Sequence, residues 1–153
     1  PYTREASIPR RTETLASQAQ ASVSIPYGGY GLNDRFEPRN SADKSMQFHN
    51  WWQCFGTEEW AQYEWDQPMT LTEASVYWLE LGHYDIDFQL PVSWRLEYKA
   101  GEKWLPVKNT DPYEIAKDKY CTVHFQPVRT KALRLTAQLQ EGKSAGILEW
   151  KVR

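Results

Sequence analysis

The chain has little of what catalytic or anchoring chemistry usually requires. Only two cysteines and three histidines stand among its 153 residues, and none of their spacings matches a metal site. Cys54 and Cys121 cannot build a disulfide framework, and a single bridge or two separate thiols are both open. No apolar run approaches the roughly 18 residues of a membrane span, and no signal peptide is evident. Charge of one sign is lacking as well. A net charge of -2 and a pI near 6.0 leave no basic face, so neither nucleic acid nor a membrane is an expected partner. Nucleophile elbow and phosphate loop are both missing. The carboxylate pairs Asp85/Asp87 and Glu58/Glu59 find no second buried partner in the pattern, and no reaction is expected. Opening on Pro1 rather than Met, the chain reads as a piece of something longer.

Aromatic residues are abundant. Eight Trp, nine Tyr and five Phe make up 14% of the chain, and such rings suit half-buried pleated surfaces as well as the C–H faces of sugars. Residues 1–19 are polar and proline-punctuated, a linker or the tail of a preceding domain. Residues 20–153 read as one folded domain. Ala21 to Ile25 is a short strand candidate, followed by a long polar stretch, 27–56, that is unusual in a compact domain unless it is functional.

Beyond Gly56 a period of two dominates. Ala61, Tyr63 and Trp65 share a face, and Pro68 is expected to end that strand. From Thr70 to Leu81, Ala74, Val76 and Trp78 lie on one side and Tyr77, Leu79 and Leu81 on the other, which predicts burial on both faces. Trp94, Leu96 and Tyr98 alternate next, then Trp104 to Val107 after a turn. Val123 and Phe125, then Leu133, Leu135, Ala137 and Leu139, and finally Leu148, Trp150 and Val152 complete the series. Pro112 to Lys119 reads as one helical turn. The pattern predicts an all-β fold, an antiparallel β-sandwich or jelly roll of about eight strands.

Several of these segments, in this order, resemble the discoidin-like (coagulation factor 5/8 C-type) β-sandwich family. They are Asn33-Asp34, the run Gly56 to Trp65, Ala74 to Trp78, Pro91 to Tyr98, Lys103 to Val107, Ala132 to Leu135 and Ala145 to Val152. The family has a galactose-binding-domain-like fold and includes many carbohydrate-binding modules. The similarity is greatest to accessory domains of bacterial β-L-arabinofuranosidase-type glycoside hydrolases. The resemblance implies a non-catalytic module of a secreted, periplasmic or cell-surface bacterial enzyme. Its partners would be a polysaccharide or oligosaccharide and the parent's catalytic domain, with ligand loops at one end formed by residues 33–56, 80–92 and 108–121. The alternative is a purely structural domain that packs on the catalytic domain and binds no sugar. The resemblance also implies one structural calcium ion held by Asp34 and Glu149, although the family's Asp-Gly turn reads Asp34-Arg35 here.

Asp34, Glu37, Asn40, Asp43 and Ser45 offer the hard oxygens that calcium takes; equally, such side chains cap turns in a solvated loop. Adjacent residues on a strand face opposite ways, so one of Trp51 and Trp52 is expected to form a sugar-stacking platform with His49 beside it. The loop containing His83, Tyr84 and Asp85 mixes an aromatic ring with directed polar groups, as a sugar site requires. These six residues are the candidate carbohydrate-binding set.

Overall fold

The computed structural model describes residues 13–82 and 87–153. A 3-10 turn at Ala16–Gln18 precedes nine strands: β1 Gln20–Val23, β2 His49–Asn50, β3 Glu58–Leu79, β4 Leu81–Gly82, β5 Asp87–Phe88, β6 Ser93–Ala100, β7 Lys103–Pro106, β8 Tyr120–Gln138 and β9 Gly146–Val152. All strand pairings are antiparallel.

Two long strands generate the sandwich. The first half of β3 pairs with β1 and with the second half of β8, which continues to β6 and β7. The second half of β3 pairs with the first half of β8 and with β9, which carries β2 at its edge. Each long strand therefore crosses from one layer to the other.

The crossing lies where the β3–β8 register breaks between Glu64 and Met69. Pro68 sits in that gap, where its missing N–H costs no ladder bond. The sequence pattern predicts two strands separated at Pro68; the chain instead bends through it and continues.

The layers close on Ala61, Tyr63, Val76, Trp78, Leu96, Val123, Leu133, Leu135 and Trp150, all 0% exposed. Alternation predicted this inner face except in β9, where Leu148, expected on the side of Trp150, packs in the other cluster across a register shift between Tyr77 and Trp78. The second face of β3 is buried as expected, and a loop rather than a second sheet covers it. Tyr77 and Leu79, with Leu148 from β9, form a separate apolar cluster covered by Phe36, Met46 and Phe48 of the long loop. Burying such side chains contributes roughly 1.5–3 kcal/mol each, which explains why so polar a segment lies ordered on the sheet.

Residues 112–119 do not form the predicted helical turn. They run irregularly across the end of β6: Trp94 Nε1 donates to the Glu114 carbonyl at 2.8 Å and the Leu96 N–H donates to Tyr113 Oη at 3.1 Å. Cys54 and Cys121 are both free thiols. On the outer face of the first layer, the Arg134 guanidinium lies between the Trp60 and Trp104 rings, 4.3 Å from each centroid.

Candidate functional site

Because both long strands fold over, their four ends gather at one end of the sandwich with the loops that follow them. Backbone bonds tie these loops together. Trp51 N–H donates to the Ala145 carbonyl at 3.0 Å, Leu139 to Thr57 at 2.9 Å and Gln89 to Ser144 at 3.0 Å. The segments 50–57, 87–92 and 139–145 thus form one surface.

The two adjacent tryptophans part company there. Trp51 is fully buried and its Nε1–H donates to the Trp60 carbonyl at 3.2 Å. No ring face remains for a ligand, so Trp51 is a core residue and not the expected platform. Trp52 is half-buried and meets Phe55 and Phe88 edge-on, at 5.4 and 6.5 Å between centroids. Phe55 is 43% exposed.

The backbone segments joined to it carry a polar group: Gly56 N–H donates to the Lys143 carbonyl at 3.4 Å and Ser144 N–H to the Asp87 carbonyl at 3.1 Å. Asp87 is bound by the Lys143 ammonium and the Gln89 amide. The Lys143 bond holds the Asp87 carboxyl below its usual range, with Gln89 assisting. Asp87, Gln89, Lys143 and Phe55 are further candidate residues on this surface, while Phe88 is buried beneath Trp52. Nothing in strand or helix periodicity links residue 143 to residues 52 and 87, because a loop-to-loop approach carries no period.

His49 is a correction. It is 1% exposed, edge-on to Trp51 at 4.6 Å, and its Nδ1 accepts the Gly29 N–H at 2.9 Å. Burial pushes its pKa down to about 3, so it is a neutral packing residue with no group directed at solvent. Gly28 is what lets the loop approach: at φ 121, a Cβ there would sit 2.6 Å from the imidazole. That same loop carries Tyr27 and Tyr30 at 78% and 65% exposure, unpredicted rings whose glycine-rich setting gave them no pattern. His83, Tyr84 and Asp85 lie outside the described residues.

The oxygen-rich loop does not converge as a single ligand set. The Asp43 carboxylate accepts Arg39 N–H, Ser45 N–H and the Ser45 hydroxyl, and these bonds hold its pKa well below the carboxylate range despite the opposing effect of burial. Asn40 caps the Ala42 N–H at 2.9 Å. Glu37 turns to Tyr120 and Lys151. Among the described residues, no group of three or more His, Cys, Asp or Glu side chains is placed to hold a metal.

Asp34 and Glu149 nevertheless meet. Glu149 is 2% exposed, and burial, then its hydrogen bond with Asp34 and that group's charge, push its pKa up to about 10. Its Oε2 accepts the Arg35 N–H at 3.1 Å, while Oε1 is buried with no hydrogen-bond partner among the described residues. Arg35 adopts φ 67, the left-handed conformation a glycine would favour there. The turn therefore forms without the glycine. A close pair of carboxyls with an unsatisfied buried oxygen suits a hard cation, with backbone carbonyls or water completing its shell.

No family model matches the sequence. The fold, however, has clear counterparts. A chain of the Streptococcus pneumoniae β-galactosidase BgaA superposes with a TM-score of 0.71 at 18% identity, covering 94% of each chain. A module designated CpGH89CBM32-5 from Clostridium perfringens, solved with GalNAc-β-1,3-galactose, gives 0.61 at 10% identity over 90% of this chain and 96% of that one. Chitosan-binding module 2 of a Paenibacillus sp. IK-5 chitosanase/glucanase, solved with chitotriose, gives 0.57 at 16% identity over 91% and 98%. At these identities the likeness establishes the antiparallel β-sandwich fold shared with these modules, which by itself carries no ligand.

Proposed function

We propose that the chain is a non-catalytic carbohydrate-binding module that holds its parent, a secreted bacterial glycoside hydrolase, on glycan. One observation carries this reading: the segment bearing Trp52 and exposed Phe55 is tied by backbone bonds to the segments bearing Asp87, Gln89 and Lys143, on the surface where the strand-end loops gather. A sugar presents weakly apolar C–H faces and many hydroxyls, so recognition needs a ring together with fixed donors and acceptors. Lys143 and Gln89 supply donors, and Asp87 accepts.

The fold counterparts solved with chitotriose and with GalNAc-β-1,3-galactose support a sugar ligand. In this reading Asp34 and Glu149 hold a calcium ion that joins the long loop to β9 and supplies fixed positive charge where two carboxyls meet. The ion acts on stability, and the chain's own loops contact sugar. The parent's catalytic domain is the second partner.

Glycan-array screening followed by calorimetry tests the proposal. Binding of a neutral oligosaccharide with a Kd near 10⁻³ to 10⁻⁴ M, about 4 to 5.5 kcal/mol, that is lost in Trp52→Ala and weakened in Phe55→Ala supports it. If no glycan binds at millimolar concentration, the domain is structural.

A further inference from the structure

A second surface lies on the outer side of β9, running from Tyr120 at the start of β8 toward Arg153. Two clefts flank Lys151 and Arg153. One, of about 260 Å³, is lined by Thr14, Ala16, Arg35, Glu37, Glu149, Lys151, Val152 and Arg153. The other, of about 210 Å³, is lined by Glu73, Ser75, Tyr120, Thr122, Lys151 and Arg153. Lys151 and Arg153 project on the same side of the strand by its period of two and form the ridge between the clefts.

The acidic side chains here are largely committed to neighbours. Glu37 receives Lys151 Nζ at 2.7 Å on Oε1 and the Tyr120 hydroxyl at 2.8 Å on Oε2. Glu149 is turned inward to the Arg35 N–H, and Glu73 faces His124 at 3.7 Å. The cations differ: Lys151 is engaged by Glu37 and Tyr120, and Arg153 stands apart. Three of them, Arg35, Lys151 and Arg153, line the first cleft. The exposed Arg153 side chain makes no ion pair or hydrogen bond among the described residues.

The second cleft adds what a sugar ring needs. The Tyr120 ring forms a wall with the Lys151 ammonium 4.5 Å from its centroid, and the Ser75 and Thr122 hydroxyls sit 2.7 Å apart as a donor–acceptor pair. Each cleft is smaller than the roughly 300–1,000 Å³ typical of drug-sized ligands, which suits one ring of a longer chain. An anionic substituent would meet Arg153, whose planar fork matches a carboxylate or sulfate in two hydrogen bonds.

We propose that the paired clefts around Lys151 and Arg153 form a second glycan subsite, distinct from the Trp52 surface, that takes an acidic sugar with its carboxylate or sulfate on Arg153. The subsite would let the module distinguish acidic from neutral polysaccharide.

The test is an NMR amide titration of the full chain with trigalacturonate, with a sulfated galactan trisaccharide and with neutral galactotriose. Either acidic ligand should shift amides at 73–75, 120–122 and 151–153, and binding should weaken as salt is raised. Arg153→Gln should weaken that binding by about tenfold or more, the loss expected for a charge-assisted hydrogen bond. Trp52→Ala should leave it unchanged, which separates this subsite from the Trp52 surface. The relative response to the two acidic ligands identifies the anion. The proposal is overturned if neither acidic ligand shifts these amides, if neutral galactotriose shifts them equally, or if Arg153→Gln binds as the parent chain does. None of these outcomes bears on neutral-glycan binding at Trp52.

Discussion

Trp51 and Trp52 are neighbours in the chain and belong to different apolar clusters. Trp51 lies in the main core between the sheets, whereas Trp52 packs on the cluster beneath the long loop and reaches the surface where the loops gather. Their roles are thereby separated, and mutation reads them separately. Trp51→Ala should destabilise the fold by about 3–5 kcal/mol, the usual result of emptying a large aromatic site. Trp52→Ala should cost less stability and abolish glycan binding. Thermal melts and calorimetry on both variants check the division.

The carboxyl pair predicts an inverted pH dependence. Glu149 has its pKa raised in the folded chain, so between the unfolded value near 4.5 and the folded value near 10 the native state holds the extra proton. Its contribution to stability is therefore complete below the unfolded value and is lost as pH rises through this window. In chelator, the melting temperature of the parent chain should fall between pH 5 and pH 9 relative to Glu149→Gln. Calcium should restore it by ion binding to the ionised pair, adding about 2.7 kcal/mol at one hundred times its Kd. A parent chain matching Glu149→Gln at every pH and calcium level would remove the ion from the proposal.

His49 predicts the opposite limb. Its pKa is depressed by burial, so stability is complete above the unfolded value near 6.5 and is lost as pH falls toward 3. His49→Gln should flatten acid unfolding over that range in urea melts. Gly28→Ala should act on the same packing from the other side. With a Cβ 2.6 Å from the ring at φ 121, it should cost about 1–3 kcal/mol.

The Trp60–Arg134–Trp104 stack gives a surface prediction. Arg134 also donates through Nε and Nη2 to Gln62 Oε1, at 2.9 and 2.7 Å. Arg134→Ala should cost about 1–2 kcal/mol through lost cation–π contact and packing. Arg134→Lys should recover only part of it, since an ammonium cannot lie flat between two rings and reach Gln62 with paired donors. Chemical denaturation of both variants measures the difference.

The strands of the sandwich were legible wherever one face alone is buried. Trp94 with Leu96 and Val123 with Phe125 alternate as the sequence indicates, and Leu133, Leu135 and Ala137 are buried as expected, although Thr136 between the last two is buried as well. Pro68 misled because its effect depends on whether its position needs a ladder bond, and sequence does not say so. The second apolar cluster was half-visible: the outer face of β3 announced itself, but its cover of Phe36, Met46 and Phe48 comes from a loop without period. Asp34 and Glu149 were paired by family resemblance, since no local pattern joins residues so far apart in the chain. His49 looked like a binding residue because its polar neighbours in sequence are not its neighbours in space.

Strands β3 and β8 each belong to both layers, and this has a kinetic consequence. Neither layer contains a complete set of its own strands, so neither can open while the other stays intact. Closing the β3–β8 ladder joins Tyr77 to Tyr120 and Glu58 to Gln138, contacts distant in sequence that must be made before most of the core is enclosed. Folding should accordingly be slow for a domain of this size, on the order of milliseconds to seconds. Native-state hydrogen exchange should show both halves of the two strands losing protection together, as one cooperative unit spanning the whole sandwich.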